Sequence, residues 1–195
     1  MESARELFFA KGFNATTMDE IAQKAELSKG ALYLYFTSKE ELYVSVMSEG
    51  LNILFERTGE VLMLDLPPDQ ILRKLGEVHY RYHLDYPEYS KIFFLQEYRN
   101  VAKQLPRELI QESIDKGKRF FQLIVAVIQK GIEQGIFAPA DPRKAAVTFW
   151  GATSGILLLF EEEVNREIIG MDVEQLIYYT LDLFIEALKQ RRGGQ

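Results

Sequence analysis

The chain has 195 residues and no cysteine, which excludes a disulfide framework and any thiolate acting as metal ligand or nucleophile. Hydrophobic residues make up 47%, enough for one large domain or two small ones, and apolar runs such as Gly155 to Phe160 are far too short to span a bilayer. There is no signal-peptide pattern, so a soluble cytoplasmic protein is expected. The formal net charge is −6, and residues 1–50 hold five Lys or Arg against eight Asp or Glu, a balance of −3 that argues against strong non-specific attraction to polyanions.

Helices are predicted over residues 2–11, 17–24, 28–35, 38–62, 68–86, 88–100, 106–134, 142–163 and 172–191, about nine in all, with no strand alternation and no repeat. The first begins within a residue or two of Met1. The second opens on a capping box: the Thr17 hydroxyl accepts from a free helix N–H while the Glu20 carboxylate reaches back to the N–H of the cap. Ile21, Ala22 and Ala25 then mark a small apolar face. Glu26 and Leu27 make a tight turn, with Leu27 expected to fill the space between the helices, and Ser28 caps the third helix. Ser38 with Glu41 repeats the capping box at the start of a long fourth helix.

Two short helices at this spacing can place the second in the major groove of DNA. On that helix Leu32, Tyr35 and Phe36 fall on one face, expected in the core, and Gly30, Tyr33 and Leu34 fall on the opposite, exposed face. Lys29 and Gly30 lie near its N-terminus, where the helix dipole and free N–H groups favour phosphate. Gly30 has no side chain to hold the backbone away from a duplex. Lys11, Lys24, Lys29 and Lys39 are placed to form a local positive stripe; Lys11 and Lys24 also read as ordinary solvated residues.

All six prolines lie beyond residue 66 and divide the remainder into helical segments. Its middle is rich in aromatics, which serve as core or line a small-molecule cavity. His79 and His83, four apart on one helix face, are the only histidines. They read better as pocket or surface imidazoles than as metal ligands, for which Glu97 or Asp85 would have to supply a third donor. Gly151 and Gly155, with Ala152 and Ser154 nearby, let another helix approach closely, and Leu176, Leu183, Phe184 and Leu188 give the last helix a broad apolar face. Gly151 to Gly155 lacks the spacing and preceding strand of a hydrolase elbow. Glu161 to Glu163 is a solvated acidic run.

Phe8-Phe9 with Gly12-Phe13, Thr16-Thr17, Ile21-Ala22, Ser28-Lys29-Gly30, Leu32-Tyr33, Tyr35-Phe36 and Ser38-Lys39-Glu40 resemble the tetracycline-repressor (TetR) family over roughly the first quarter of the chain. The remainder resembles it in length, helix content and the phrase from Gly131 to Phe137. Two departures stand out: Leu34 occupies a position where relatives often place a phosphate-touching residue, and the first helix is expected to begin within a residue or two of Met1 where relatives often carry a basic arm, so that either the arm is absent or the natural start lies further upstream.

The resemblance implies an all-α protein with a helix-turn-helix DNA-binding domain (residues 1–45) and a C-terminal helical domain for ligand binding and dimerisation (residues 46–195). The function it implies is a ligand-responsive transcriptional regulator and repressor. A homodimer formed through 142–163 and 172–191 would bind a pseudo-palindromic operator and be released by a small apolar or aromatic effector. DNA-contacting residues are expected to be Thr17, Ser28, Lys29, Gly30, Ala31, Tyr33, Leu34 and Lys39. The effector pocket is expected to include Phe55, Tyr80, His83, Tyr89, Phe93, Phe121 and Trp150, with no cofactor, no metal and no catalytic residue. The competing readings are a helical-bundle enzyme or metalloprotein using the aromatic cavity, and a DNA-binding protein with no small-molecule effector.

Overall fold

The computed structural model describes residues 1–90, 100–103 and 105–190. Ten helices are defined among them: α1 (Glu2–Ala15), α2 (Met18–Lys24), α3 (Lys29–Tyr35), α4 (Lys39–Leu62), α5 (Pro68–Asp85), α6 (Pro87–Ser90), α7 (Arg107–Glu133), α8 (Pro142–Glu161), α9 (Glu163–Ile169) and α10 (Val173–Lys189). No strand occurs among the described residues. The chain is therefore all-α. It divides into two compact units, residues 1–53 with 86–116, and residues 54–85 with 117–195. The division falls inside α4 and inside α7, so both helices contribute to each unit.

The first unit is built around three rings. Tyr43 of α4 lies 5.0 Å from both Phe8 and Phe13 of α1, centroid to centroid. Gly12, at φ 78° and ψ 169°, breaks α1 one turn before its end, and this break turns Phe13 into the core. The corner after the break is held by the fully buried Thr16, whose hydroxyl lies 2.8 Å from Gly12 O and 3.2 Å from Leu7 O and donates to them. This accounting is required, since a buried backbone oxygen without a donor is costly.

Tyr89 of α6 completes the unit. Its ring meets Phe9 edge-on at 5.1 Å, and its hydroxyl donates to Glu49 at 3.1 Å. A Cβ at Gly50 would sit 2.5 Å from that ring, so the ring rests against bare α4 backbone. Ser48 of α4 and Ser113 of α7 share a hydrogen bond of 2.7 Å.

In the second unit α5, α8 and α10 pack together around Leu72, Leu157, Ile177 and Leu181, all fully buried. Gly76 is what lets α10 approach α5, because a Cβ there would collide with Leu181. The Arg73–Asp182 and Lys189–Asp69 ion pairs flank that seam. α7 ends at Gly135, at φ 70°, with Ile136 N–H bonded to Gly131 O and Gly135 N–H to Ile132 O. The return brings Phe137 onto Gly131.

The predicted helix 142–163 is found as α8, which ends two residues early at Glu161; Glu162 is extended (φ −88°, ψ 125°), and the short helix α9, which was not expected, follows. The break is stabilised by Arg166, whose guanidinium donates to Phe160 O at 2.5 Å and Glu161 O at 3.1 Å. Tyr35, expected in the core, is 75% exposed. Leu27, expected to fill the space between α2 and α3, is 45% exposed. Of the predicted helix 88–100, α6 covers the start and residues 91–99 lie outside the described residues.

Candidate nucleic-acid interface

The site is assembled by helix ends. Glu20 N–H donates to Thr17 Oγ1 at 3.2 Å and Thr17 N–H to the Glu20 carboxylate at 3.0 Å, so the predicted capping box is complete. α2 then closes by a Schellman motif, with Leu27 N–H bonded to Ala22 O at 2.9 Å and Glu26 N–H to Gln23 O at 3.2 Å. Glu26 holds the left-handed position, φ 57°, that this motif demands. Ser28 Oγ accepts from Ala31 N–H at 3.1 Å and starts α3. At α4 the second capping box is only half formed. Ser38 Oγ accepts from Glu41 N–H at 3.1 Å, but the Glu41 carboxylate reaches back to Thr37 N–H, at 2.7 Å, instead of to Ser38.

α3 buries only Leu32 and presents Gly30, Tyr33, Leu34 and Tyr35 to solvent, with Leu34 84% exposed. Gly30 has open space where a side chain would be, its nearest neighbour being the Ser28 hydroxyl at 4.0 Å. The helix thus offers a bare backbone at its capped N-terminus and two rings further along.

The charge around it differs from the expected stripe. Lys29 Nζ is bonded to Asp19 at 2.8 Å, Lys11 to Glu20 at 2.7 Å and Lys24 to Glu6 at 2.6 Å. The Asp19 hydrogen bond raises the Lys29 pKa, the Lys11 hydrogen bond lowers that of Glu20, and the Lys24 hydrogen bond lowers that of Glu6. All six groups are well exposed, so the pairs add little stability. They do neutralise the local potential.

Lys39 faces inward. Its ammonium donates to Phe13 O at 2.8 Å and Thr16 O at 2.9 Å and lies 4.2 Å above the Phe13 ring. One of its three N–H groups is left for an outside acceptor. Lys39 therefore ties the start of α4 to the corner between α1 and α2. No local residue pattern announces this role, since the acceptors are backbone atoms 23 and 26 residues away.

The residues expected to line an effector pocket are divided. Phe55, Tyr80, His83, Phe121 and Trp150 belong to the second unit and Tyr89 to the first, while Phe93 lies outside the described residues. Tyr80 is buried, and that burial raises its pKa. Phe55 meets Phe120 edge-on at 6.1 Å, and the Arg143 guanidinium lies 5.8 Å from the Phe121 ring centre. His83 Nε2 is 3.4 Å from the Glu161 carboxylate, and burial holds the His79 imidazole down at a pKa of about 4. Asp85, the nominal third metal ligand, is paired with Arg57 at 2.6 Å. Among the described residues no three His, Asp or Glu side chains gather at one point.

α8 and α10 each bury one face and expose another. α8 turns Phe149, Thr153 and Leu157 inward, and Val147, Leu158 and Leu159 outward. A Cβ at Gly151 or Gly155 meets nothing within 4 Å. α10 turns Ile177, Leu181 and Leu188 inward but Tyr179 and Leu183 outward, which divides the single apolar face expected for it. No helix among the described residues is long and apolar enough to cross a membrane.

Comparison with known proteins agrees with this geometry. Residues 1–46 match the family described as bacterial regulatory proteins, tetR family, and residues 65–160 match the tetracyclin repressor-like C-terminal domain. The transcriptional repressor KstR2 of Mycobacterium tuberculosis is 30% identical over 139 residues, 71% of this chain and 68% of KstR2. The crystal structure of the TetR family regulator PfmR from Thermus thermophilus superposes with a TM-score of 0.73 at 26% identity, over 97% of this chain and 98% of PfmR. The structure of AibR in complex with isovaleryl coenzyme A and operator DNA superposes with a TM-score of 0.70 at 22% identity, over 93% of this chain and 94% of AibR.

Proposed function

The chain belongs to the tetR family of bacterial regulatory proteins, non-enzymatic DNA-binding transcription regulators, and we propose that it is a cytoplasmic, ligand-responsive repressor that binds a pseudo-palindromic operator as a homodimer. The observation that carries this reading is α3: a short helix capped by Ser28, with an exposed face of Gly30, Tyr33 and Leu34 and a bare N-terminus. Lys29, Gly30, Ala31 and Tyr33 meet base edges and the sugar-phosphate. Leu34 packs on thymine methyls or sugar, since it has no group for a phosphate hydrogen bond. Thr17, Ser28 and the remaining Lys39 N–H position the backbone without reading sequence.

One copy binds weakly because its cations are already paired, so useful affinity requires two. The outward face of α8 and α10, with its open glycines, is where the second copy packs. Half-sites lie about 34–36 Å apart, so an effector that tilts α4 by a few ångströms breaks register.

The deciding experiment selects bound sequences from a random DNA pool, with and without candidate effectors, and measures solution mass in parallel. A palindromic consensus and a dimeric mass are expected, with Gly155→Arg monomeric yet folded. A non-palindromic consensus, or a monomer that binds at full affinity, would overturn the reading.

A further inference from the structure

At the end of α4, where the chain turns through residues 63–67 into α5, the second unit holds a recess of about 170 Å³. Leu62, Leu64, Leu66, Ile71, Leu123 and Val127 are among its walls, and every lining residue is apolar except one, Lys130 of α7. Ile71, Val127 and Pro68 are buried, so the recess has a fixed floor. Leu64 is 45% exposed, so the recess opens to solvent on that side. Among the described residues the Lys130 ammonium makes no ion pair, unlike Lys11, Lys24 and Lys29. An apolar chamber with a single uncompensated cation on its wall is complementary to an apolar chain that ends in one negative charge.

We propose that this recess binds medium-chain alkyl carboxylates, with the hydrocarbon against the leucine walls and the carboxylate on Lys130. A cavity of about 150 Å³ holds a six-carbon ring, so a chain of about six to eight carbons fills this one. The Lys130 stem packs along the apolar wall while its head meets the carboxylate at the mouth. The ligand class named here is that of the effector in the regulator proposed above, and its role on DNA rests on that reading. Binding itself does not, and is measured without DNA.

The test titrates the full-length protein with acetate, butanoate, hexanoate, octanoate, decanoate and hexadecanoate, and with octanol as the uncharged control. Affinity is expected to rise about fourfold per methylene up to the filling length and then level off. Octanoate is expected to bind about tenfold more tightly than octanol. Lys130→Met, which keeps the stem, removes the preference for the acid, and Ala126→Trp, which fills the recess from an exposed position, removes both ligands while circular dichroism remains native. No dependence on chain length, equal binding of acid and alcohol, or an unchanged Lys130→Met protein would overturn the assignment. So would a change in solution mass of Ala126→Trp, which would make the recess a face between copies.

Octanoate is then added to the complex with the selected DNA. Release from wild type but not from Lys130→Met is expected. Binding without release overturns the effector role and leaves the DNA-binding reading intact. Failure to bind any DNA sinks the regulator reading and leaves the recess assignment intact.

Discussion

Glu26 and Gly135 occupy the same position in the same helix-ending motif. Each follows the last residue of a Schellman closure, at φ 57° and 70° respectively, and each is followed by an N–H bonded 2.9 Å to a carbonyl five residues back. Glycine adopts this conformation without strain, whereas an L side chain there costs roughly 1–2 kcal/mol. The turn of the DNA-binding motif is therefore strained where the end of α7 is not. Glu26→Gly, which loses part of the gain to chain entropy, should raise stability by roughly 0.5–1 kcal/mol in urea denaturation. Gly135→Ala should lower it by about 1 kcal/mol. A loss at Glu26→Gly would show that its side chain makes a compensating contact.

Asp19 should restrain DNA binding. Lys29 must leave the Asp19 carboxylate to reach a phosphate, and the carboxylate itself repels the duplex. Asp19→Asn is expected to tighten binding several-fold and to steepen the slope of log affinity against log salt by about one unit. Lys29→Ala should do the reverse. An unchanged salt slope in Asp19→Asn would mean that Lys29 touches no phosphate.

Lys39→Ala should weaken binding to all sequences alike, and the structure adds a second effect. Removing the ammonium leaves Phe13 O and Thr16 O without their donor, which should cost about 1–2 kcal/mol of stability. Thermal unfolding and DNA titration should therefore fall together. Weaker DNA binding at unchanged stability would reduce Lys39 to a phosphate contact alone.

His79 makes stability depend on pH with a definite sign. Burial lowers its pKa from 6.5 to about 4, with the His83 charge as a smaller cause. The unfolded chain takes up this proton below about pH 6.5 and the folded chain does not, so stability is complete above that pH and declines as pH falls towards 4. The full difference is about 3 kcal/mol. In His79→Leu that slope should vanish from denaturation curves taken between pH 7 and 4, whatever the variant's absolute stability. A slope that survives the substitution would assign it to other groups.

Helix starts were legible because a cap is local: Thr17, Glu20, Ser28 and Ser38 lie within four residues of the groups they serve. The family signature was legible for the same reason. What could not be read depends on distant partners. Tyr35 carries a ring on the same predicted face as Leu32, yet α3 is so short and peripheral that only Leu32 of that face is buried. The break at Glu162 has neither proline nor glycine to announce it and rests on Arg166 reaching Phe160 O and Glu161 O. The lysine stripe was a correct count of cations, but the carboxylates opposing Lys11, Lys24 and Lys29 lie nine to eighteen residues away on other helices.

The first unit is assembled from two separated stretches of chain, and this governs how it can be transplanted. Fusion regulators are commonly conceived as an N-terminal reading head exchanged at a single junction. Here a cut near residue 45 would carry α1, α2 and α3 to the new host but leave behind Tyr89, which packs edge-on against Phe9, together with the Gly50 backbone and the Ser48–Ser113 pair on the far side of the cut. The transferable piece has two junctions beyond the first, and a working hybrid must import residues 86–116 along with 1–53.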